Sequence, residues 1–218
     1  MTSLDTGETG ETGQIVTVTS EEELRRIAGE ATDVVLRKDI GHLDEHARDF
    51  IAASPFVLLA TSAPDGTCDV SPRGEEPGGV LVLDDHTLVI PDRPGNRRVD
   101  SLRNIVANPN VGLLFVVPGT EETLRVNGRA QVVSQAPYME RLRVKGRLPT
   151  LAVSVEVREC FFHCSKAFRR SALWQPERWP ERESLPTLGR ILKDQLNLEW
   201  SAKLIDDDLR ADARENLY

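Results

Sequence analysis

Apolar side chains are spaced in two ways along this chain. Toward both ends they recur every three or four residues, as on one face of a helix. Between about residues 56 and 163 they alternate or form short runs bounded by Gly, Pro, Asn and Asp, as in strands. Ser20 and Glu23 form a capping box ahead of Leu24, Ile27 and Ala28, so a short helix is expected to start near Glu21. A second helical pattern, Leu43, Ala47, Phe50 and Ile51, must end near Ser54, because Pro55 disfavours helix at the residue before it. "FVLLATS" and "TCDVS" flank "APDG", in which Pro presets one turn dihedral and Gly66 supplies a positive one, giving a hairpin. "GVLVLDDHTLVIPD" repeats the plan with Asp84 to Thr87 as the turn. "VGLLFVVPGTEETLRVNGRAQVVS" adds two strands, and "LAVSVEVRECFFHC" reads as a long one with Ala152, Val153, Val155 and Val157 partly alternating. The count is six or seven strands joined mainly by hairpins, with one helix between the fourth and fifth. Closing such a sheet removes its exposed edges, so a small barrel is expected. Helical signals return at about Ser165 and in "LGRILKDQLNL", where Leu188, Ile191, Leu192 and Leu196 share a face.

Composition narrows this picture. Residues 1 to 13 repeat Gly, Glu and Thr and cannot offset the entropy of ordering, so residues 1–19 are expected to be a flexible tail. The remainder of the 218 residues can bury a core without disulfide staples, as one main domain. Lys and Arg number 27 against 35 Asp and Glu, and a net charge of -8 argues against nucleic acid as the partner. The longest apolar runs fall far short of the roughly 20 residues that span a bilayer. The first residues carry neither the cationic nor the apolar half of a secretory signal, so a cytoplasmic location is expected. Cys68, Cys160 and Cys164, an odd number, fit a reducing compartment.

The candidate chemistry centres on "IPDRPGNRRVDSLRN". After a strand the chain turns at Pro94-Gly95 and presents Asn96, Arg97 and Arg98 where a helix is expected to begin, with Asn96 as its cap and Val99, Leu102, Ile105 and Val106 as its buried side. Unpaired backbone N–H groups at a helix start, joined by guanidinium forks, suit a phosphate. The competing reading pairs Arg97 and Arg98 with Asp100 or Asp92 on the surface. "DVSPRGEEPGG" carries Ser71 and Arg73 into a Gly and Pro-rich loop suited to close approach by a ligand. "HCSKAFRRSALW" sets Lys166, Arg170 and Trp174 at four-residue intervals, which suits a phosphorylated, ring-bearing ligand or simply a solvated helix face. "HLDEH", residues 42 to 46, matches the inverted zinc-peptidase pattern and would set His42 and His46 one turn apart on a helix, but a zinc site needs a third ligand and the motif sits in a short helix before the barrel, so polar residues on a helix whose other side is Leu43, Ala47 and Phe50 are expected instead. Cys160, His163 and Cys164 are closely spaced; on a strand the two cysteines share a face and His163 points away, so buried cysteines are expected rather than a metal site.

From about Ser20 to Trp174 the chain resembles the flavin-binding split-barrel family of pyridoxamine 5'-phosphate oxidase-like proteins. The resemblance is carried by "FVLLAT", "GTCDVSPRG", "IPDRPGNRR", "NPNVGLLF", "LRVNGRA" and "HCSKAFRRSALW". It implies a mainly β, α+β fold: a six-stranded antiparallel split β-barrel of Greek-key type over residues 55–175, preceded by a helical segment at 20–54; the apolar spacing beyond it reads as a helical extension at 176–218. It also implies a homodimer with FMN in a cleft between subunits. Transferred residue by residue, Ser71, Pro72 and Arg73 run along the flavin and Asn96, Arg97 and Arg98 hold its phosphate. Thr123 contacts the ring, and Lys166, Arg170 and Trp174 close the cleft. The implied activity is hydride or electron transfer through FMN to or from a small molecule, with no side chain needed as nucleophile or base. Alternatives on the same barrel are a non-catalytic flavin or haem carrier, or a deazaflavin-dependent reductase. The acidic end "LEWSAKLIDDDLRADARENLY" departs from the Trp and Arg-Leu segment of true pyridoxamine phosphate oxidases, so their substrate is not transferred.

Overall fold

The computed structural model describes residues 15–218, so most of the expected tail lies outside the described residues. These residues fall into two compact units, 15–37 and Lys38–Tyr218. The first holds α1 (Glu21–Ala28) and α2 (Asp33–Arg37). Ser20 caps α1 as its sequence requires, its hydroxyl accepting from the Glu23 N–H at 3.2 Å.

The second unit opens with α3 (Glu45–Ala53), where Asp44 caps the helix and Ser54 ends it ahead of Pro55. His42 therefore precedes the helix, and the two histidines of "HLDEH" are not one helical turn apart. Leu43, Ala47 and Ile51 pack into the core, which fits the spacing that announced them. The strands follow: β1 (Phe56–Ser62), β2 (Cys68–Gly74), β3 (Leu81–Asp84) and β4 (Thr87–Asp92). After α4 (Asp100–Ala107) come β5 (Asn110–Val116), β6 (Thr123–Val133) and β7 (Leu151–His163). A 3-10 helix, Pro137–Leu142, interrupts the connection from β6 to β7. The chain ends in α5 (Lys166–Ser171), α6 (Leu188–Leu196) and α7 (Ala202–Glu215).

All seven strands pair antiparallel in the order β2-β1-β5-β6-β7-β4-β3, and the run β4-β7-β6-β5 is a Greek-key order. Seven strands replace the six implied by the family resemblance. The reason is local: Asp84 accepts a hydrogen bond from the His86 N–H at 2.8 Å, and this turn folds Leu81–Asp84 back as a strand of its own. Among the described residues no ladder joins β2 to β3, so backbone pairing does not itself close a barrel. The end of β2 meets the end of β4 through side chains instead. Arg73 donates to Asp92 at 2.6 Å, and Arg93 makes a two-pronged bond to Glu75 at 2.7 and 3.0 Å.

Inward positions of β1, β4, β5, β6 and β7 supply the main core, including Leu59, Leu88, Leu113, Phe115, Leu124 and Val155. Helix α4 carries the chain across from β4 to β5, burying Ser101, Leu102 and Ile105. Val99 and Val106, expected on that buried side, are exposed, Val106 at 78%. The helix starts at Asp100, so Val99 stands before it in a left-handed turn, and its buried face is centred on Ser101, Leu102 and Ile105, which leaves Val106 to one side.

Candidate functional site

Strand β2 alternates so that Ser71 and Arg73 turn toward the half-buried side while Pro72 is exposed at the sheet edge, where its missing N–H costs no ladder bond. Opposite them in register stand Leu59 and Val57, both buried, so the two polar side chains leave β2 beside the core. The Ser71 hydroxyl lies 3.0 Å from that of Ser101 in α4, tying the strand to the helix. Arg73 directs Nη1 to Asp92, but its Nε is buried without a hydrogen-bond partner. A buried donor left unpaired is costly, and it marks a place where an acceptor belongs.

The segment from Arg93 to Val99 forms the neighbouring wall. Asn96 does not cap α4; its Oδ1 accepts from the Arg98 N–H at 3.0 Å in a local turn. The position before α4 is held by Val99 at φ 54, with no side-chain cap, and Arg97 has φ 59. Positive φ is unusual for any residue with a Cβ and worst for a β-branched one. Two such residues within three positions make a strained loop of the kind that clusters at ligand clamps. Arg98 Nε donates to Asp100 at 2.7 Å, and this carboxylate holds the guanidinium protonated even more firmly than usual. The surface-pair reading is thus correct for Arg98, whereas Arg97 has no carboxylate partner among the described residues.

These pieces line one pocket of about 720 Å³. Arginines 73, 93, 97, 98 and 147 face it together with the carboxylates of Asp92 and Asp100, and Ser71, Asn96, Ser101, Thr150 and Tyr218 complete the polar wall. The pocket is cationic within an acidic chain, and its donor set fits a phosphorylated ligand: forked guanidiniums, the hydroxyls of Ser71, Ser101, Thr150 and Tyr218, and one orphaned buried N–H.

The other expected residues stand elsewhere in the chain. Thr123 is buried at the start of β6, paired with Val116 and His163. Lys166 and Arg170 are exposed on α5, which ends when Ala172 turns left-handed, so Trp174 is not on the helix with them. Its Nε1 donates to the Thr120 carbonyl at 2.8 Å, and its ring stacks on Phe168 at 5.6 Å. Burial pushes the Cys160 thiol up to about 11, with the nearby Asp44 and Asp39 charges adding to the shift. Cys164 was expected buried beside it but lies just past β7 and is exposed; the Lys166 backbone N–H lowers its thiol below the ordinary range. Sequence reasoning missed Arg93, Arg147 and Tyr218 as pocket residues. The turn "VKGR" and the ending "NLY" carry no signal that they meet.

A family model for pyridoxamine 5'-phosphate oxidase matches residues 43–164. No curated protein matches the chain. Among solved structures the chain is similar to a HupZ variant of Group A Streptococcus, at 18% identity over 56% of this chain and 99% of that one, with a TM-score of 0.46. It is also similar to a Lactobacillus delbrueckii protein named after pyridoxamine 5'-phosphate oxidase, at 26% identity, 57% and 98% coverage and a TM-score of 0.45. An FMN-binding protein of Syntrophomonas wolfei gives 8% identity, 66% and 96% coverage and a TM-score of 0.42.

Proposed function

Since the chain belongs to the pyridoxamine 5'-phosphate oxidase family, we propose that it binds FMN in the arginine pocket and acts as a flavin-dependent oxidoreductase on a small molecule. The observation that carries this reading is the buried, unpartnered Nε of Arg73, set in one pocket with the unpaired Arg97 and the strained loop that presents it. Arg97 and Arg98 would hold the phosphate, with Arg98 shared between that anion and Asp100. Asn96 fixes the loop through the Arg98 N–H, and Ser71 and Ser101 offer hydroxyls along the wall. Arg73 would supply positive charge beside the ring, where the reduced form accumulates negative charge. When bound, FMN supplies hydride or electron transfer; the side chains named bind and orient it, and none is asked to be a nucleophile or base.

Thr123, Lys166, Arg170 and Trp174 lie outside this pocket in one subunit. The reading therefore includes a homodimer, in which a second copy would bring such residues to a shared cleft. Sedimentation of the purified protein tests that, with twice the subunit mass expected. A cytoplasmic location is part of the same reading, supported by three free thiols. No described helix is long and apolar enough to cross a membrane.

The decisive experiment is the spectrum of the purified protein and of a variant with Arg97→Ala and Arg98→Ala. The wild type is expected to carry a yellow flavin spectrum that bleaches with a reduced nicotinamide donor, and the variant to lose the flavin while keeping its fold by circular dichroism. Undiminished flavin in the variant, or a Soret band in the wild type, would overturn the assignment.

A further inference from the structure

The two valines left exposed around α4 are not scattered on the surface. Val99, Leu102, Arg103 and Val106 recur at intervals of three and four residues, so they share one side of the helix and its entry. That side is the wall of a second cavity, a groove of about 620 Å³. Its floor is fixed by the fold: Leu102 is buried, and the half-buried Val132 of β6 and Leu151 of β7 pack on the main core. The turn between β1 and β2 adds Pro64, held in place as the Ala63 N–H donates to the Thr67 carbonyl at 2.8 Å and the Gly66 N–H to the Ala63 carbonyl at 3.0 Å. Val99, Leu102 and Leu151 also line the arginine pocket, so groove and pocket are continuous.

The lining is aliphatic apart from Asn104 and Arg103, and the Asn104 amide nitrogen already donates to Thr61 and Asp69 at 3.1 and 2.7 Å. Arg103 has no Asp or Glu carboxylate within ion-pair distance among the described residues. An apolar wall with one uncompensated cation complements a molecule that has an apolar body and one carboxylate. The volume is that of a small-molecule site. Among the described residues no aromatic ring lines the groove, which favours an alkyl chain over a planar ring. Val99 points the same way. At φ 54 a valine is strained where a glycine would not be, and the apolar side chain kept there stands at the junction of groove and pocket.

We propose that this groove is a binding site for an alkyl carboxylate, with Arg103 holding the carboxylate and Val99, Leu102 and Val106 holding the chain. As the substrate site of a flavoprotein it rests on the flavin reading; as a binding site it does not. The test is calorimetric titration of octanoate and 1-octanol into the full chain, Arg103→Gln and Val106→Asn, each with and without added FMN. Octanoate is expected to bind the wild type, and butyrate to bind at least about ten-fold more weakly. Arg103→Gln is expected to weaken octanoate about three-fold or more and leave octanol unchanged, whereas Val106→Asn weakens both. Val106 is 78% exposed, so the fold should tolerate its replacement, and circular dichroism checks each variant. No octanoate binding to the wild type, or binding indifferent to both Arg103 and Val106, would overturn the proposal. So would absent octanoate binding together with a halved sedimenting mass for Val106→Asn, which would make the groove an interface between copies. If octanoate binds as expected while FMN does not bind at all, the flavin reading fails and the groove stands; FMN binding without octanoate gives the reverse.

Discussion

The Glu75–Arg93 pair joins the exits of two strands that share no ladder, and its side chains are only 5% and 12% exposed. A buried ion pair is weak evidence for stability as a pair, yet removing one member strands the other's charge. Arg93 also anchors the Leu142 carbonyl and one side of the pocket, so its charge cannot easily swing out to water. Glu75→Ala is therefore expected to cost about 3–5 kcal/mol, read as a lower urea midpoint with unchanged slope. Replacing both members by apolar residues of similar volume should cost much less. Nothing in "RGEEPGG" separates Glu75 from its exposed neighbour Glu76, since burial here is decided by a residue 18 positions away.

At the scale of elements, the longest ladder, β6 with β7, is broken by a register shift between Asn127 and Gly128. The shift bends the two long strands. A Cβ built on Gly128 would lie 2.1 Å from the Glu156 carbonyl oxygen, a backbone atom that cannot rotate away. Gly128→Ala is expected to destabilise the protein by about 1–3 kcal/mol or more, lowering the thermal midpoint by about 2–4 °C for each kcal/mol. The strands around this bulge were legible in the sequence because alternation of apolar residues directly reflects which side faces the core. The start of α4 was not. Asn96 looks like a cap by its type and position, but its side chain serves the Arg98 N–H, and left-handed Arg97 and Val99 delay the helix to Asp100. Helix α7 was hidden for a different reason: among its residues only Ile205 is buried, so the apolar pattern that reveals a helix is nearly absent from it.

For the whole molecule, the sequence located one wall of the pocket, Ser71 and Arg73 with Asn96 to Arg98, because each stretch combines cations with turn residues at a strand exit. It could not supply Arg147 and Tyr218, whose meeting depends on how a hairpin turn and the end of a helix fold over the same strands. The net charge of -8 sharpens the consequence. An anion enters a cationic pocket against the repulsion of an acidic surface, so local contacts rather than long-range attraction must hold it. If two arginines hold the FMN phosphate, each charge-assisted hydrogen bond contributes about 1.5–3 kcal/mol, toward the lower value for Arg98 because Asp100 competes for it. Riboflavin, which has the same ring and no phosphate, should then bind the flavin-free protein at least about a hundred-fold more weakly than FMN. Salt separates that contact from the ring's own contacts. Raising ionic strength beyond 0.1 M, where the screening length falls below about 10 Å, should weaken FMN and leave riboflavin nearly unchanged. Fluorescence titration of both flavins at two salt concentrations reads the difference directly, and equal affinities would mean that Arg97 and Arg98 grip no phosphate.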